Sequence, residues 1–112
     1  MMLTQVGQAG FHQDMEKRAG VSLVVFTQVS CGACRALKAV LGRAPPSPVA
    51  HLLEVDALDA AALTAEYDVF HLPAMFVFVQ GVFQGPLHAR PDATALQHAM
   101  DRLLSQPPQD PP

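Results

Sequence analysis

The chain is poor in charge, since Asp, Glu, Lys and Arg make up 15% of its 112 residues and half of all residues are apolar. This balance favours a compact core over disorder, and the length suits one domain rather than two. Basic residues are not in excess either, because the net charge is −3 at pH 7. Nucleic-acid binding requires a basic face, so no nucleic-acid partner is expected.

Two kinds of apolar segment are also lacking. Residues 1–20 contain no basic start followed by an apolar stretch, so we expect no signal peptide. The longest apolar run of the chain is far shorter than the ~20 residues of a membrane span. These absences predict a soluble cytoplasmic protein without a membrane partner. In a reducing cytosol, a close pair of cysteines favours a catalytic, redox-sensing or metal-binding role over a structural disulfide.

The arrangement of apolar residues predicts an α/β fold. Ser22 to Gln28 contains four consecutive apolar residues, which suits a strand buried on both faces, as in a parallel sheet. Strands that alternate with helices imply parallel pairing, and a closing hairpin at Gln80-Gly81 adds antiparallel strands. The predicted order of elements is β α β α β α β β α. The first three strands are expected near residues 3–6, 22–28 and 51–55, and the last two flank residues 80–81. The helices are expected at residues 8–18, 31–42, 56–67 and from 92 onward.

The helix ends and the end of the chain carry their own signals. Gly42 is expected to end the second helix, and Asp92 is expected to cap the last one. Two helices should cover one face of the sheet and the others the opposite face. Residues 1–105 then form the domain, and the proline-rich residues 106–112 form a disordered tail.

Both cysteines lie in VSCGACRALK, Val29 to Lys38, with two small residues between them. Cys31 stands where the buried strand gives way to a helix, whose first turn carries unpaired N–H groups and a partial positive charge. A thiolate is stabilised there, so the pKa of Cys31 should lie below the ~8.5 of a free thiol. Gly32 and Ala33 leave a substrate disulfide free to reach Cys31, and Cys34 is close enough to release the substrate by a second attack.

The residues themselves leave other interpretations of the pair open. The two cysteines could be ordinary reduced thiols that lie near each other. A closed zinc site needs four ligands, and His71 is a candidate to approach the pair. A site shared across a symmetric dimer, with two cysteines from each chain, would also supply four ligands. The basic residues of the following helix, Arg35, Lys38 and Arg43, are interpreted as a solvated face.

Three features in register make the chain resemble the thioredoxin family. The apolar strand SLVVF leads into CGAC and its helix, and Asp56 closes the third strand in HLLEVD. The most specific feature is YDVFHLPAMFVFVQGVF, Tyr67 to Phe83, with its tyrosine, its proline after an aliphatic residue and its glycine turn. The resemblance covers Leu3 to about Leu104. It implies a thioredoxin-like fold, which has a central mixed sheet of parallel strands and a C-terminal antiparallel hairpin, with helices on both faces.

The resemblance also implies where the site lies. Cys31 and Cys34 would be the catalytic pair, and Pro73 would follow a cis bond and face them. Leu72 and Pro73 would line the groove in which a partner's backbone crosses Cys31, and Ala89 to Arg90 would form its other lip. The remaining substrate-binding residues on the cysteine side would be Ser30, Gly32 and Ala33.

The chain departs from the family pattern at residues that handle protons. Ser30 replaces the tryptophan before the first cysteine, and as a small polar residue it is a candidate helix cap. Val25 replaces the family's buried acid, and Leu52 replaces the lysine near that acid. Cys34 would therefore lose its proton to water, to substrate, or to His71 or His51.

These observations together predict a thiol–disulfide oxidoreductase that exchanges the Cys31–Cys34 dithiol with protein disulfides through a mixed disulfide at Cys31. No cofactor is expected. The expected partners are a protein disulfide substrate and a reductase or other thiol donor, and the protein is expected to be a monomer. The alternative is a thioredoxin-fold binding or chaperone-like module with little redox activity, which the absent acid, lysine and tryptophan favour.

Overall fold

The structure is a computed structural model that describes all residues, 1–112. Its elements follow the predicted order of strands and helices. The strands are β1 (Thr4–Gln5), β2 (Val21–Thr27), β3 (Val49–Asp56), β4 (Ala74–Val79) and β5 (Val82–Leu87), and the helices are α1 (Phe11–Glu16), α2 (Gly32–Arg43), α3 (Ala61–Glu66) and α4 (Ala93–Leu104). None of these helices combines the length and the hydrophobicity that crossing a membrane requires.

The five strands form one mixed sheet in the order β1-β3-β2-β4-β5. β3 is parallel to both β1 and β2, whereas β4 is antiparallel to both β2 and β5. Every residue of β2 is buried, as expected for a central strand with helices on both faces.

Each face of the sheet has its own apolar core. α2 and α4 cover one face, where Leu37 and Leu41 of α2 pack with Leu96 and Met100 of α4. α1 and α3 cover the other face. An aromatic cluster fills the space under these two helices, and its members are Phe11, Phe26, Tyr67, Phe76, Phe78 and Phe83. The prediction of helices on both faces, two on each, is confirmed.

Several predicted helix boundaries are wrong. The first helix runs from Phe11 to Glu16 and not over residues 8–18, because Gly10 before it has a φ of 69°, outside the right-handed helical region. The third helix begins at Ala61 and not at Asp56, because Asp56 ends β3 and its Oδ1 accepts hydrogen bonds from the N–H groups of Leu58 and Asp59. A short polar side chain that bonds to the backbone ahead of it favours a turn over a helix. Gly42 lies inside α2, and the helix ends one residue later, with Ala44 following it.

The hairpin turn and the cap of α4 are confirmed. Gln80 and Gly81 have φ angles of 52° and 78°, the positive values that a two-residue hairpin turn of type I′ needs. Gly81 is also required for space, since a Cβ there would lie 2.7 Å from the carbonyl oxygen of Met15. The Asp92 carboxylate accepts a hydrogen bond of 3.1 Å from the N–H of Ala95.

The C-terminal residues 106–112 have no regular secondary structure but contact β5. The N–H of Gln109 donates to the carbonyl of Gln84 over 3.1 Å. The buried Gln84 side chain in turn donates to the carbonyls of Leu103 and Gln106. The assignment of this segment as a disordered tail stays a prediction.

The single tyrosine of the chain, Tyr67, lies in the aromatic cluster with 4% of its surface exposed. Burial, and to a smaller extent the neighbouring Glu66 carboxylate, raises the pKa of Tyr67 from 10.0 to about 12. Both causes disfavour the charged phenolate, so the folded protein keeps the neutral phenol at a pH where the unfolded chain would ionise it.

We therefore expect the stability that this phenol contributes to be complete below pH 10 and to be lost as pH rises towards 12. An absorbance titration of tyrosinate should give a midpoint near 12 for the folded protein. In Tyr67→Phe, the free energy of unfolding should fall less between pH 10 and pH 12 than in the unmodified protein. Denaturant unfolding at a series of pH values would measure this difference. A tyrosinate midpoint near the ordinary value in fully folded protein would contradict the burial argument.

Candidate active site

The junction between β2 and α2 places Cys31 at the start of a helix. β2 ends at Thr27, and Cys31 is the N-cap residue of α2, with extended backbone angles of φ −93° and ψ 109°. Its Sγ accepts a hydrogen bond of 3.1 Å from the backbone N–H of Cys34. The expectation that Ser30 caps this helix is wrong, because the sulfur of Cys31 fills the cap position.

The two cysteines form a disulfide across the first turn of α2, with their Cα atoms 5.2 Å apart. Their exposure differs: Cys31 is half-buried, whereas Cys34 is 1% exposed. No acidic residue lies in the first turn of α2, and the Arg35 guanidinium lies nearby with a hydrogen bond to the carbonyl of Val29. The helix end and this cation favour the thiolate form of Cys31 when the pair is reduced. Its exposure makes Cys31 the sulfur of the pair that a second molecule can reach.

A groove of about 670 Å³ lies beside the pair. Ala33 on α2 and Pro73 before β4 both line it, and Ala89 lines it from the segment before α4. The structure thus brings together the elements that were expected to form the two lips of a substrate groove. The peptide bond between Leu72 and Pro73 is cis, as the resemblance implied.

The other predicted substrate-binding residues, Ser30, Gly32 and Leu72, do not line this groove. Ser30 and Gly32 are exposed on the loop and the first turn around Cys31. Leu72 is half-buried, and its side chain packs against the aromatic cluster and not into the groove. Its main chain is different: neither its N–H nor its carbonyl is paired with another backbone group.

A buried carboxylate near Cys34 was missed by the sequence analysis. Glu54 of β3 is 4% exposed and lies in a second, smaller cleft of about 260 Å³ that Cys34 also lines. The Glu54 carboxylate forms an ion pair of 2.8 Å with Lys38 and accepts hydrogen bonds from Thr27 and Gln5. Lys38 is therefore a partner of a buried acid, and its interpretation as part of a solvated face is wrong.

Of the two histidines considered for the Cys34 proton, His51 is excluded by its position. His51 pairs with Ser22 near the start of β2, at the opposite end of the strand from Cys31, and its ring contacts the carbonyl of Ala19 over 3.1 Å. His71 is exposed and lines the groove beside the cysteine pair together with Pro73.

The side chains of the chain itself do not assemble a metal site. No group of three or more His, Cys, Asp or Glu side chains is placed to hold a metal ion. A metal at the cysteine pair would need ligands from a second chain, and this alternative stays a prediction.

The fold and the cysteine pair define a protein of the thioredoxin class. The family model described as Thioredoxin matches residues 2–102, and the chain belongs to the thioredoxin family. No curated protein sequence matches the chain at a significant level. The predicted thioredoxin-like fold, with its mixed five-stranded sheet and helices on both faces, is confirmed.

Two solved structures illustrate the likeness in fold. The crystal structure of thioredoxin from Trypanosoma brucei brucei superposes with a TM-score of 0.73 at 17% identity, over 93% of this chain and 92% of that one. The zinc-bound form of human ERp44 superposes with a TM-score of 0.67 at 15% identity, over 90% of this chain. The present chain spans only 31% of the ERp44 chain. At these identities the likeness concerns the fold alone.

The difference between the two sulfurs can be tested on the reduced protein. We expect iodoacetamide to modify Cys31 at least about tenfold faster than Cys34 at neutral pH, because a difference of one pKa unit alone changes the thiolate fraction about tenfold. Mass spectrometry of peptides after timed quenching would measure both rates. In denatured protein the two thiols should react at similar rates. Equal and slow modification of both thiols in the folded protein would contradict the assignment.

Proposed function

We propose that the protein is a thiol–disulfide oxidoreductase that acts on protein disulfides. The observation that supports this most directly is the Cys31–Cys34 disulfide at the N-terminus of α2, with Cys31 accessible and Cys34 buried behind it. This asymmetry separates an attacking sulfur from a resolving one. Membership of the thioredoxin family supports the same kind of chemistry.

The exchange would proceed in two balanced steps. In the reduced protein, the Cys31 thiolate attacks one sulfur of the substrate disulfide, the substrate S–S bond breaks, and the other substrate sulfur leaves as a thiolate. Cys34 then loses its proton and attacks Cys31 Sγ, and the second substrate sulfur leaves as a thiolate. Two electrons have passed to the substrate, and the Cys31–Cys34 disulfide has formed. The reverse sequence oxidises a substrate dithiol.

The groove beside the pair would hold the substrate as an extended strand. The free N–H and carbonyl of Leu72 can pair with a substrate backbone in the manner of an added β-strand. Pro73 has no N–H and leaves this edge open, and Ala33 and Ala89 are small enough to let a chain approach. Ser30 and Gly32 border the entrance to Cys31.

The proposal includes a cytoplasmic location, a monomeric state and a reductase or small thiol as the electron donor. After each reduction of a substrate the Cys31–Cys34 disulfide must be reduced again, and a reducing compartment supplies the thiols for this step.

Substitution of each cysteine tests the two roles. Cys31→Ser should abolish the acceleration of insulin reduction over dithiothreitol alone, because the remaining sulfur, on Cys34, is buried and cannot attack the substrate. Cys34→Ser should serve as the matched control, since it keeps the first step and accumulates a mixed disulfide with the substrate, visible by non-reducing electrophoresis and mass spectrometry. Acceleration of insulin reduction by Cys31→Ser to the same extent as by the unmodified protein would refute the proposed function.

A second candidate function is a binding or chaperone-like module on the same fold. The observation that favours it is the pair of large apolar side chains near the cysteine pair and its groove, Val29 and Phe70, which are 84% and 83% exposed. Phe70 lines the groove itself. Exposed apolar side chains next to a groove suit the docking of an unfolded polypeptide.

The binding function predicts an interaction that does not need the sulfurs. The double variant with Cys31→Ser and Cys34→Ser should then bind a reduced, carboxymethylated polypeptide as tightly as the unmodified protein, as measured by fluorescence anisotropy. Phe70→Ser in the same background should weaken binding, and Leu58→Ser, at an apolar residue that is 69% exposed outside the groove, should not. Loss of binding in the double cysteine variant would contradict this alternative.

A further inference from the structure

Glu54 is a buried acid for which the exchange steps above have no role. A buried carboxylate is costly unless it is paired and hydrogen-bonded. Glu54 meets this condition with three partners from three different elements: Gln5 of β1 at 2.7 Å, Thr27 of β2, and Lys38 of α2 at 2.8 Å. Burial of such an ion pair gives little net stability compared with an apolar pair, so stability alone does not account for it.

The register of the sheet places Glu54 under the same helix as Cys34. In the parallel pairing of β2 and β3, Glu54 lies opposite Val25. Side chains at paired positions point to the same face of a sheet. Val25 belongs to the core under α2, so the Glu54 side chain points to that face as well. Glu54 therefore lies one strand away from Val25, the residue that replaces the family's buried acid.

α2 connects the acid to the resolving cysteine. Lys38 follows Cys34 by one helical turn, and residues four apart in a helix lie on the same face. The Lys38 ammonium contacts Glu54, so Cys34 and the carboxylate open into the same cleft of about 260 Å³. A water molecule occupies ~30 Å³ of liquid volume, so this polar cleft has room for several waters between the thiol and the acid.

We propose that Glu54, held in place by Lys38, Thr27 and Gln5, accepts the proton of the Cys34 thiol through water in this cleft when Cys34 resolves the mixed disulfide. The inference rests on the proposed exchange function and assigns its proton acceptor. The proton passes from Cys34 Sγ to water and from water to a Glu54 oxygen. The electron pair left on Cys34 Sγ forms the bond to Cys31 Sγ, the substrate sulfur leaves as a thiolate, and Glu54 then releases the proton to solvent.

Among the other charged groups that face the cleft, only one is an acid. α2 contributes Arg35 and Lys38, which are cations, and β3 contributes Asp56 besides Glu54. Asp56 is half-buried and its Oδ1 accepts two backbone N–H groups in the turn after β3. Glu54 differs from it because it is buried and contacts, through Lys38, the helix that carries Cys34. β1, β2 and the loop after β2 contribute no titratable side chain, only Gln5, Thr27, Gln28 and Val29.

Rapid mixing of reduced protein with one equivalent of a chromogenic aromatic disulfide separates the two sulfur attacks. The first coloured thiolate is released when Cys31 attacks the reagent, and the second when Cys34 attacks the mixed disulfide. Absence of the first release would contradict the exchange function itself. The rate of the second release depends on the proton acceptor of Cys34. The exchange function is therefore tested by the first release, and the role of Glu54 by the second.

Glu54→Gln should slow the second release roughly ten- to thirtyfold at neutral pH and leave the first unchanged, because an ordinary thiol is only a few per cent ionised there. The two proteins should converge only well above a pH of ~8.5, because burial raises the pKa of a thiol and the unaided ionisation of Cys34 needs a higher pH. The amide can still accept from Gln5, and the partly exposed Lys38 can turn to solvent. Glu66→Gln is the matched control, because Glu66 is exposed and pairs only with His12.

The dependence on pH distinguishes proton transfer from a structural role. A variant whose helix had merely shifted would be slow at every pH, and this result would overturn the proposal. An unchanged second release in Glu54→Gln at neutral pH would overturn it too. The unmodified protein gives an independent test: its second release should change little above neutral pH, and a rise of about tenfold per pH unit up to ~8.5 would show that no acceptor assists.

Discussion

The position of the reactive sulfur depends on the burial of β2. Every residue from Val21 to Thr27 is buried, with β3 on one side, β4 on the other and helices on both faces. Burial of one Val or Leu side chain contributes about 1.5–3 kcal/mol, and three consecutive residues of this strand, Leu23 to Val25, have no exposed surface. Because the strand is held so firmly, Cys31 lies a few residues beyond a rigid element and not on a mobile loop.

The cap of α2 links this position to the chemistry. A helix start needs acceptors for its free N–H groups, and here Cys31 Sγ accepts from the N–H of Cys34. A thiolate is a stronger acceptor than a disulfide sulfur, because charge strengthens a hydrogen bond. The helix end is therefore better satisfied when the pair is reduced and Cys31 is ionised. The hydrogen bond that begins the helix thus also favours the ionised form of Cys31.

Features that depend on neighbouring residues could be predicted from the sequence. Features that depend on how the strands pair with one another could not. The apolar strand β2, the turn at Gln80-Gly81 and the cap at Asp92 each depend on neighbouring residues, and all three are present. The contact between Glu54 and Lys38 joins a strand to a helix across sixteen positions of the chain. A single acid between the apolar residues of LLEV was the available signal, but only the pairing of β2 with β3 shows which face of the sheet it occupies.

The location of the acid on β3 and not on β2 also has an electrostatic reason. Val25 lies in the middle of the sheet and in the apolar core, where an unpaired carboxylate would lose all contact with water. β3 is flanked by β1, a strand of two exposed residues, and Gln5 of that strand can donate to Glu54. Lys38 reaches the acid from outside with 38% of its side chain exposed. A carboxylate at Glu54 therefore keeps two donors and a cation at the border of the core. It costs less to bury there than at Val25, and it still faces the cleft that Cys34 lines.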